Sequence, residues 1–87
     1  MSNCAIILQP EALEDLEHWV QRDRHVALRV LRLIDAAQRT PFAGLGKPEP
    51  LEHIGSDVWS RRITHRDRLV YRVTQTHIDV LQARYHY

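Results

Sequence analysis

Cysteine is almost missing from this 87-residue chain. Cys4 stands alone, so no disulfide can close within the chain, and the usage fits a reducing compartment. Long apolar runs are missing too. The run Ala5-Ile6-Ile7-Leu8 stops at Gln9-Pro10, far short of a membrane span, and no basic segment precedes it. A leader or membrane anchor is therefore not expected, and the protein is expected to be soluble and cytoplasmic. Metal-ligand spacing is absent: His18, His25, His53, His65, His77 and His86 are scattered, and Cys4 lies far from them. Neither a metal site nor a cofactor is expected. No nucleophile elbow is present, and Cys4 reads as sitting in an apolar strand, which disfavours covalent catalysis. Lys47 is followed by Pro48 rather than Ser or Thr, which excludes a phosphate-cradling P-loop. Lysine is absent from residues 61–87, although six arginines are there: Arg61, Arg62, Arg66, Arg68, Arg72 and Arg84. A merely solvated face would use lysine as readily, so this bias points to an anionic partner recognised by forked guanidinium contacts.

What is present fits one domain, residues 1–87, with a modest core. Its charge is polarised. Residues 1–23 carry five acids against Arg22, whereas residues 61–87 carry those six arginines against Asp67 and Asp79. Ala5–Leu8 reads as a short buried strand. Pro10 opens a helix with Glu11, Glu14 and Asp15 near its positive end, and Ala12, Leu16, Trp19 and Val20 form its apolar stripe. Asp23 suits the cap of a second helix, striped by Val26, Val30, Leu33, Ile34 and Ala37 and ended by Thr40-Pro41. His18, His25, Arg29 and Arg32 fall between the stripes and read as wetted helix surface. A stiff loop rich in proline and glycine follows, from Pro41 to Pro50. Leu51–Ile54 is a candidate edge strand. Val58–Ile63, Arg68–Val73 and Ile78–Tyr87 then read as an antiparallel meander. The expected class is α+β: a short first strand and two helices packed on one face of a twisted antiparallel sheet.

Period-two alternation divides that sheet. Odd positions, among them Trp59, Ile63, Leu69, Tyr71, Val73, Leu81, Ala83 and Tyr85, are mostly apolar and should face the helices. Even positions carry Arg62, Arg68, Arg72, Arg84 and His86 and should face outward together, with Val70, Ile78 and Val80 as exceptions. Glu49, pinned between Pro48 and Pro50, reads equally as a turn residue and as a positioned base. His86 taken alone reads first as a surface strand residue. A held carboxylate, a held imidazole and several guanidinium groups nevertheless suit metal-free RNA cleavage. The base would take the 2′-OH proton, the cations would stabilise the phosphorane and the acid would protonate the leaving 5′-oxygen.

Arg39-Thr40-Pro41-Phe42, Gly44-Leu45-Gly46-Lys47-Pro48-Glu49-Pro50-Leu51, Trp59-Ser60-Arg61-Arg62-Ile63-Thr64, Arg68-Leu69-Val70-Tyr71 and Arg84-Tyr85-His86-Tyr87 closely resemble the YoeB (Txe) branch of the RelE-like toxins. The resemblance covers nearly all of Arg39 to Tyr87, and the helical half matches in pattern and length. It implies a toxin of a type II toxin–antitoxin pair, an endoribonuclease that cuts mRNA in the ribosomal A site. It further implies a YefM-like (Phd-like) antitoxin as partner and a homodimer. Carried over, Glu49 is the general base and His86 the general acid. Arg68 is the transition-state cation, and Tyr87 is a terminal active-site group. Lys47 and Arg62 are RNA contacts, which Arg72 and Arg84 join from the expected outer face. The chain departs from the pattern at Glu52, where a lysine is common, and at Asp67, where a histidine is common; both changes remove positive charge near the expected RNA path. Ala83 replaces a frequent cysteine. Two alternatives remain: a non-catalytic relative that binds antitoxin or RNA and represses its own operon, and a ribosome-independent RNase.

Overall fold

The computed structural model describes residues 4–86. In chain order the elements are β1 (Ala5–Leu8), α1 (Pro10–Arg22), α2 (Arg24–Arg39), β2 (Glu49–Pro50), β3 (Val58–Arg62), β4 (Arg68–Val73) and β5 (His77–Tyr85). They build the α+β architecture: five strands in the order β1-β5-β4-β3-β2, with the helices over one face. The meander β3-β4-β5 is antiparallel, but β1 runs parallel to β5, so the sheet is mixed. No helix among the described residues is long and apolar enough to cross a membrane.

The helical hairpin is closed by one residue. Pro10 supplies the fixed φ that a first turn wants, and the backbone N–H of Asp23 ends α1 by donating to Trp19 O. The Asp23 carboxylate then accepts from the N–H groups of His25 (3.1 Å) and Val26 (3.3 Å), capping α2. With no loop between them, the two apolar stripes lie side by side. Val30, Leu33 and Ala37 of α2 are fully buried against Leu69 and Tyr71 of β4 and Ile78, Val80 and Ala83 of β5.

Three expectations are corrected. First, all four residues of β1 are exposed, because the strand is the edge of the sheet and has a neighbour only in β5. Second, Leu51–Ile54 is a turn; the short strand lies just before it, where Glu49 pairs with Ser60 and Pro50 with Trp59. Third, strict alternation fails in β5. Val73 and Tyr71 pair with Ile78 and Val80, but Val70 pairs with Gln82 and Arg68 with Tyr85, so β5 gains one extra residue at each of two shifts. Bulges of this kind re-aim side chains. Ile78 and Val80 join the helix-side core from the regular stretch before the shifts, because they pair with the inward residues Val73 and Tyr71. Leu81 and Tyr85 pack on the opposite face against Leu51, Val58 and Val70.

Arg61 is the largest fully buried side chain. It obeys the alternation that sends β3 odd positions inward, and its charge is met by oxygens rather than by a carboxylate. Its Nε donates to Tyr71 Oη (3.0 Å), Nη1 to Leu45 O (2.9 Å), and Nη2 to Ala43 O (3.0 Å) and Thr40 O. The Tyr71 hydroxyl in turn donates to Pro41 O at 2.6 Å. Thr40 caps the carbonyl-rich, negative end of α2, a favourable place for a cation. The turns and bends from Pro41 to Gly46 are thus tied to the sheet's interior. Gly46 completes the tie: its carbonyl accepts from Arg62 N at 2.7 Å, its φ is +85°, and a Cβ there would lie 2.7 Å from Leu33 Cδ2. Arg61 is therefore withdrawn from the arginines available to an anionic partner.

Arg61→Met should lower unfolding free energy by about 3 kcal/mol, since it strips donors from several carbonyls at once. Urea denaturation of the variant beside the wild type measures this, and a loss under about 1 kcal/mol would show that water replaces the guanidinium.

Candidate active site

The clasped loop delivers Glu49 to the face opposite the helices. There Glu49 Oε1 lies 2.9 Å from Arg68 Nη1, and the same nitrogen donates to Ser60 Oγ at 3.3 Å. Cross-strand register explains the meeting: Glu49 stands opposite Ser60, and Ser60 opposite Val70, two residues along β4 from Arg68. The Arg68 side chain is 15% exposed and that of Glu49 48%, so the guanidinium is held in the sheet while the carboxylate meets solvent. Beside them His53 Nε2 approaches Tyr85 Oη at 3.4 Å, above the apolar floor of Leu51, Val58 and Val70.

The segment that carries His86 is held by α1. Where the bulge takes Ala83 out of strict pairing, Asp15 Oδ2 accepts from its N–H and Trp19 Nε1 donates to its carbonyl, both at 2.8 Å. With Tyr85 paired to Arg68, the next residue, His86, comes beside Asp67: Nδ1 lies 3.4 Å from Oδ1. Arg84 and His86 are therefore not on one face with Arg62, Arg68 and Arg72, as unbroken alternation predicts. Arg84 acts electrostatically on His18 of α1 instead. Glu49 and Arg68 are brought into contact, and the neighbouring residue Asp67 holds His86 at the rim. Lys47 and Arg62 are exposed, Lys47 in the left-handed region at φ +53°. Arg72 is half-buried beside Gly55. Tyr87 lies outside the described residues.

Some contributors were not legible beforehand. Arg29, read as wetted surface, donates from Nε to Ile63 O (2.8 Å) and from Nη2 to Arg62 O (2.9 Å), fixing the end of β3. Asp67, read as a lost positive charge, is buried and braced by Thr64 Oγ1 at 2.9 Å. Among the described residues no three His, Cys, Asp or Glu side chains cluster as a metal site would need.

The family described as "YoeB-like toxin of bacterial type II toxin-antitoxin system" matches residues 8–87. Toxin RelK of Mycobacterium tuberculosis is 48% identical over 83 residues, covering 95% of this chain and 98% of the relative. The YoeB dimer of Staphylococcus aureus superposes with a TM-score of 0.91 at 34% identity, covering 99% of this chain and 100% of that one. A heterotetrameric YoeB-YefM toxin-antitoxin complex from the same organism superposes at 0.83, with the same identity and coverage. A first strand, two helices and a five-stranded mixed sheet make up the RelE-like fold. The chain belongs to the YoeB-like toxins of bacterial type II toxin–antitoxin systems.

Two outcomes are expected of the α1 contacts. Trp19→Phe removes the donor to Ala83 and should raise amide hydrogen exchange across residues 83–86 more than across β4; equal protection in both proteins would show that the bulge holds itself. His18 titrates below its ordinary value of 6.5, because partial burial, then Arg84 and Arg22, disfavour its charged form against the pull of Asp15 and Asp67. Its contribution to stability is thus full above pH 6.5 and is lost as pH falls toward the lowered folded value. His18→Gln should flatten that part of the stability–pH curve, measured by denaturant midpoints from pH 5 to 7.5.

Proposed function

We propose that the protein is the toxin of a two-gene module and acts as a ribosome-dependent endoribonuclease, cutting mRNA in the A site and so halting translation. The observation that carries the reading is the 2.9 Å contact of Glu49 with Arg68 on a solvent-facing sheet surface, in a chain of this family. A free carboxylate would suit base catalysis at once; this one is held until a competitor arrives. A substrate phosphate takes the forked guanidinium of Arg68, which prefers such geometry, and Glu49 is then released beside the ribose. Glu49 removes the 2′-OH proton, and O2′ forms a bond to phosphorus. Arg68 stabilises the negative charge that grows on the phosphorane oxygens. The bond from phosphorus to the 5′-oxygen breaks as His86 gives that oxygen its proton. The products are a 2′,3′-cyclic phosphate and a 5′-hydroxyl.

Side chains fill each role in that sequence without a metal ion. Lys47, Arg62 and Arg72 steer the phosphate backbone, Arg84 adds positive charge from the helix side, and Tyr87 adds a group at the terminus. The face is small for an enzyme that selects RNA unaided, which favours the ribosome as the surface that presents substrate. The S. aureus structures support a YefM-like antitoxin and a homodimer as this chain's assemblies.

Expression alone should arrest growth, and co-expression of a YefM-like antitoxin should restore it. On programmed ribosomes Glu49→Gln and His86→Gln should each slow cleavage by about 10²–10⁴-fold, and mass spectrometry should find the cyclic phosphate. Unimpaired growth with intact mRNA would favour the non-catalytic, operon-binding relative instead.

A further inference from the structure

We infer that Asp67 is a positioning residue for His86: it holds the imidazole with its proton on Nδ1 and its Nε2 toward the substrate. The inference rests on the nuclease reading for its consequence, and on geometry for its substance. Asp67 is 7% exposed, so its carboxylate needs partners. Oδ2 accepts from the Thr64 hydroxyl at 2.9 Å, while Thr64 Oγ1 itself accepts from the N–H groups of Arg66 (3.1 Å) and Asp67 (3.0 Å). The Asp67 carbonyl also accepts from Ile63 N (2.9 Å) and Thr64 N (3.2 Å), closing the β3–β4 turn. The carboxylate is thereby fixed at one oxygen and presents the other, Oδ1, to His86 Nδ1 at 3.4 Å. The contact is longer than a good hydrogen bond, as catalytic contacts of unliganded sites often are before substrate tightens them.

A carboxylate accepts and cannot donate, so it selects the form of the ring that carries hydrogen on Nδ1. Nε2 is left as the atom that exchanges a proton, and 53% of the His86 side chain is open to solvent for that purpose. In the proposed step the imidazolium gives its Nε2 proton to the 5′-oxygen and remains neutral with Nδ1–H on Asp67. The carboxylate stabilises the charged ring without itself taking a proton, as in other carboxylate–histidine pairs. The chain thus gives a positioning role to a buried carboxylate. Because Asp67 and Arg68 are consecutive, one dipeptide holds the acid through its first side chain and the base through its second.

The test uses the whole chain labelled with ¹⁵N-histidine. In the wild type, the neutral His86 ring should show a protonated Nδ1 and an unprotonated Nε2, and in Asp67→Ala a mixture of the two tautomers. On programmed ribosomes Asp67→Ala should lower kcat about 10-fold or more with KM changed less than twofold. The loss should stay below the 10²–10⁴-fold of a missing general acid. In a His86→Gln background the same change should cost nothing further. Asp67→Asn, which keeps the volume, guards against a folding failure and should also slow cleavage. Identical His86 tautomers in wild type and Asp67→Ala, or a full additional loss in the His86→Gln background, would overturn the assignment. A fixed Nδ1–H tautomer in a wild-type protein that cuts nothing would overturn the nuclease reading and uphold the pairing.

Discussion

The buried guanidinium of Arg61 is the constraint on which the working face depends. A charge this deep would be costly without partners, and a carboxylate partner would make it a self-contained pair indifferent to its surroundings. Here its partners are the carbonyls of Thr40, Ala43 and Leu45 and the Tyr71 hydroxyl. The cost of burying the charge is therefore offset only if the loop after α2 lies down in one conformation. That conformation brings β2 alongside β3 and sets Glu49 opposite Ser60. A loop with three prolines is stiff, but stiffness alone gives no direction. Arg61 supplies the direction.

Much of the frame was legible in the sequence because it follows from local chemistry. Pro10 and Asp23 mark helix boundaries whatever else the chain does, and alternation in β3 and β4 sorts Leu69 and Tyr71 from Arg68 and Arg72 correctly. The extrapolation failed in β5, where one parity was carried across the β4–β5 turn. Ile78 and Val80 pair with Val73 and Tyr71, so even positions face inward from the start of the strand, the first extra residue after Val80 returns Ala83 to the helix side, and no glycine or proline announces it. The shifted segment is gripped at Ala83 from 64 and 68 residues away, by Trp19 and Asp15. Ala5–Leu8 misled for a different reason: an apolar run signals a strand, but not whether a second neighbour will cover it.

The candidate site divides in the same manner. Glu49 and Arg68 meet because of sheet register, which the strand assignments nearly contain. The surroundings of His86 depend on the bulge and on a turn braced by a threonine, and composition counts Asp67 only as a negative charge. Arg29 and Arg61 show the converse. Both look like cations for an anionic partner, yet one ties the end of β3 and the other holds a loop. Counting arginines overstated the surface available to an anionic partner.

The grip of Asp15 and Trp19 on the backbone of Ala83 also bears on how such a chain can change over generations. These two residues lie in α1, away from the Glu49–Arg68 contact, and a mutation there would ordinarily be judged on helix packing alone. Yet the register of the last residues of β5 is held from that helix, and His86 follows three residues later. Drift in α1 is thus coupled to the placing of His86 through main-chain atoms of a residue that has almost no side chain. Ala83 is free to be replaced by another small residue without loosening the hold, because the helix grips its peptide groups. Asp15 and Trp19 have no such latitude.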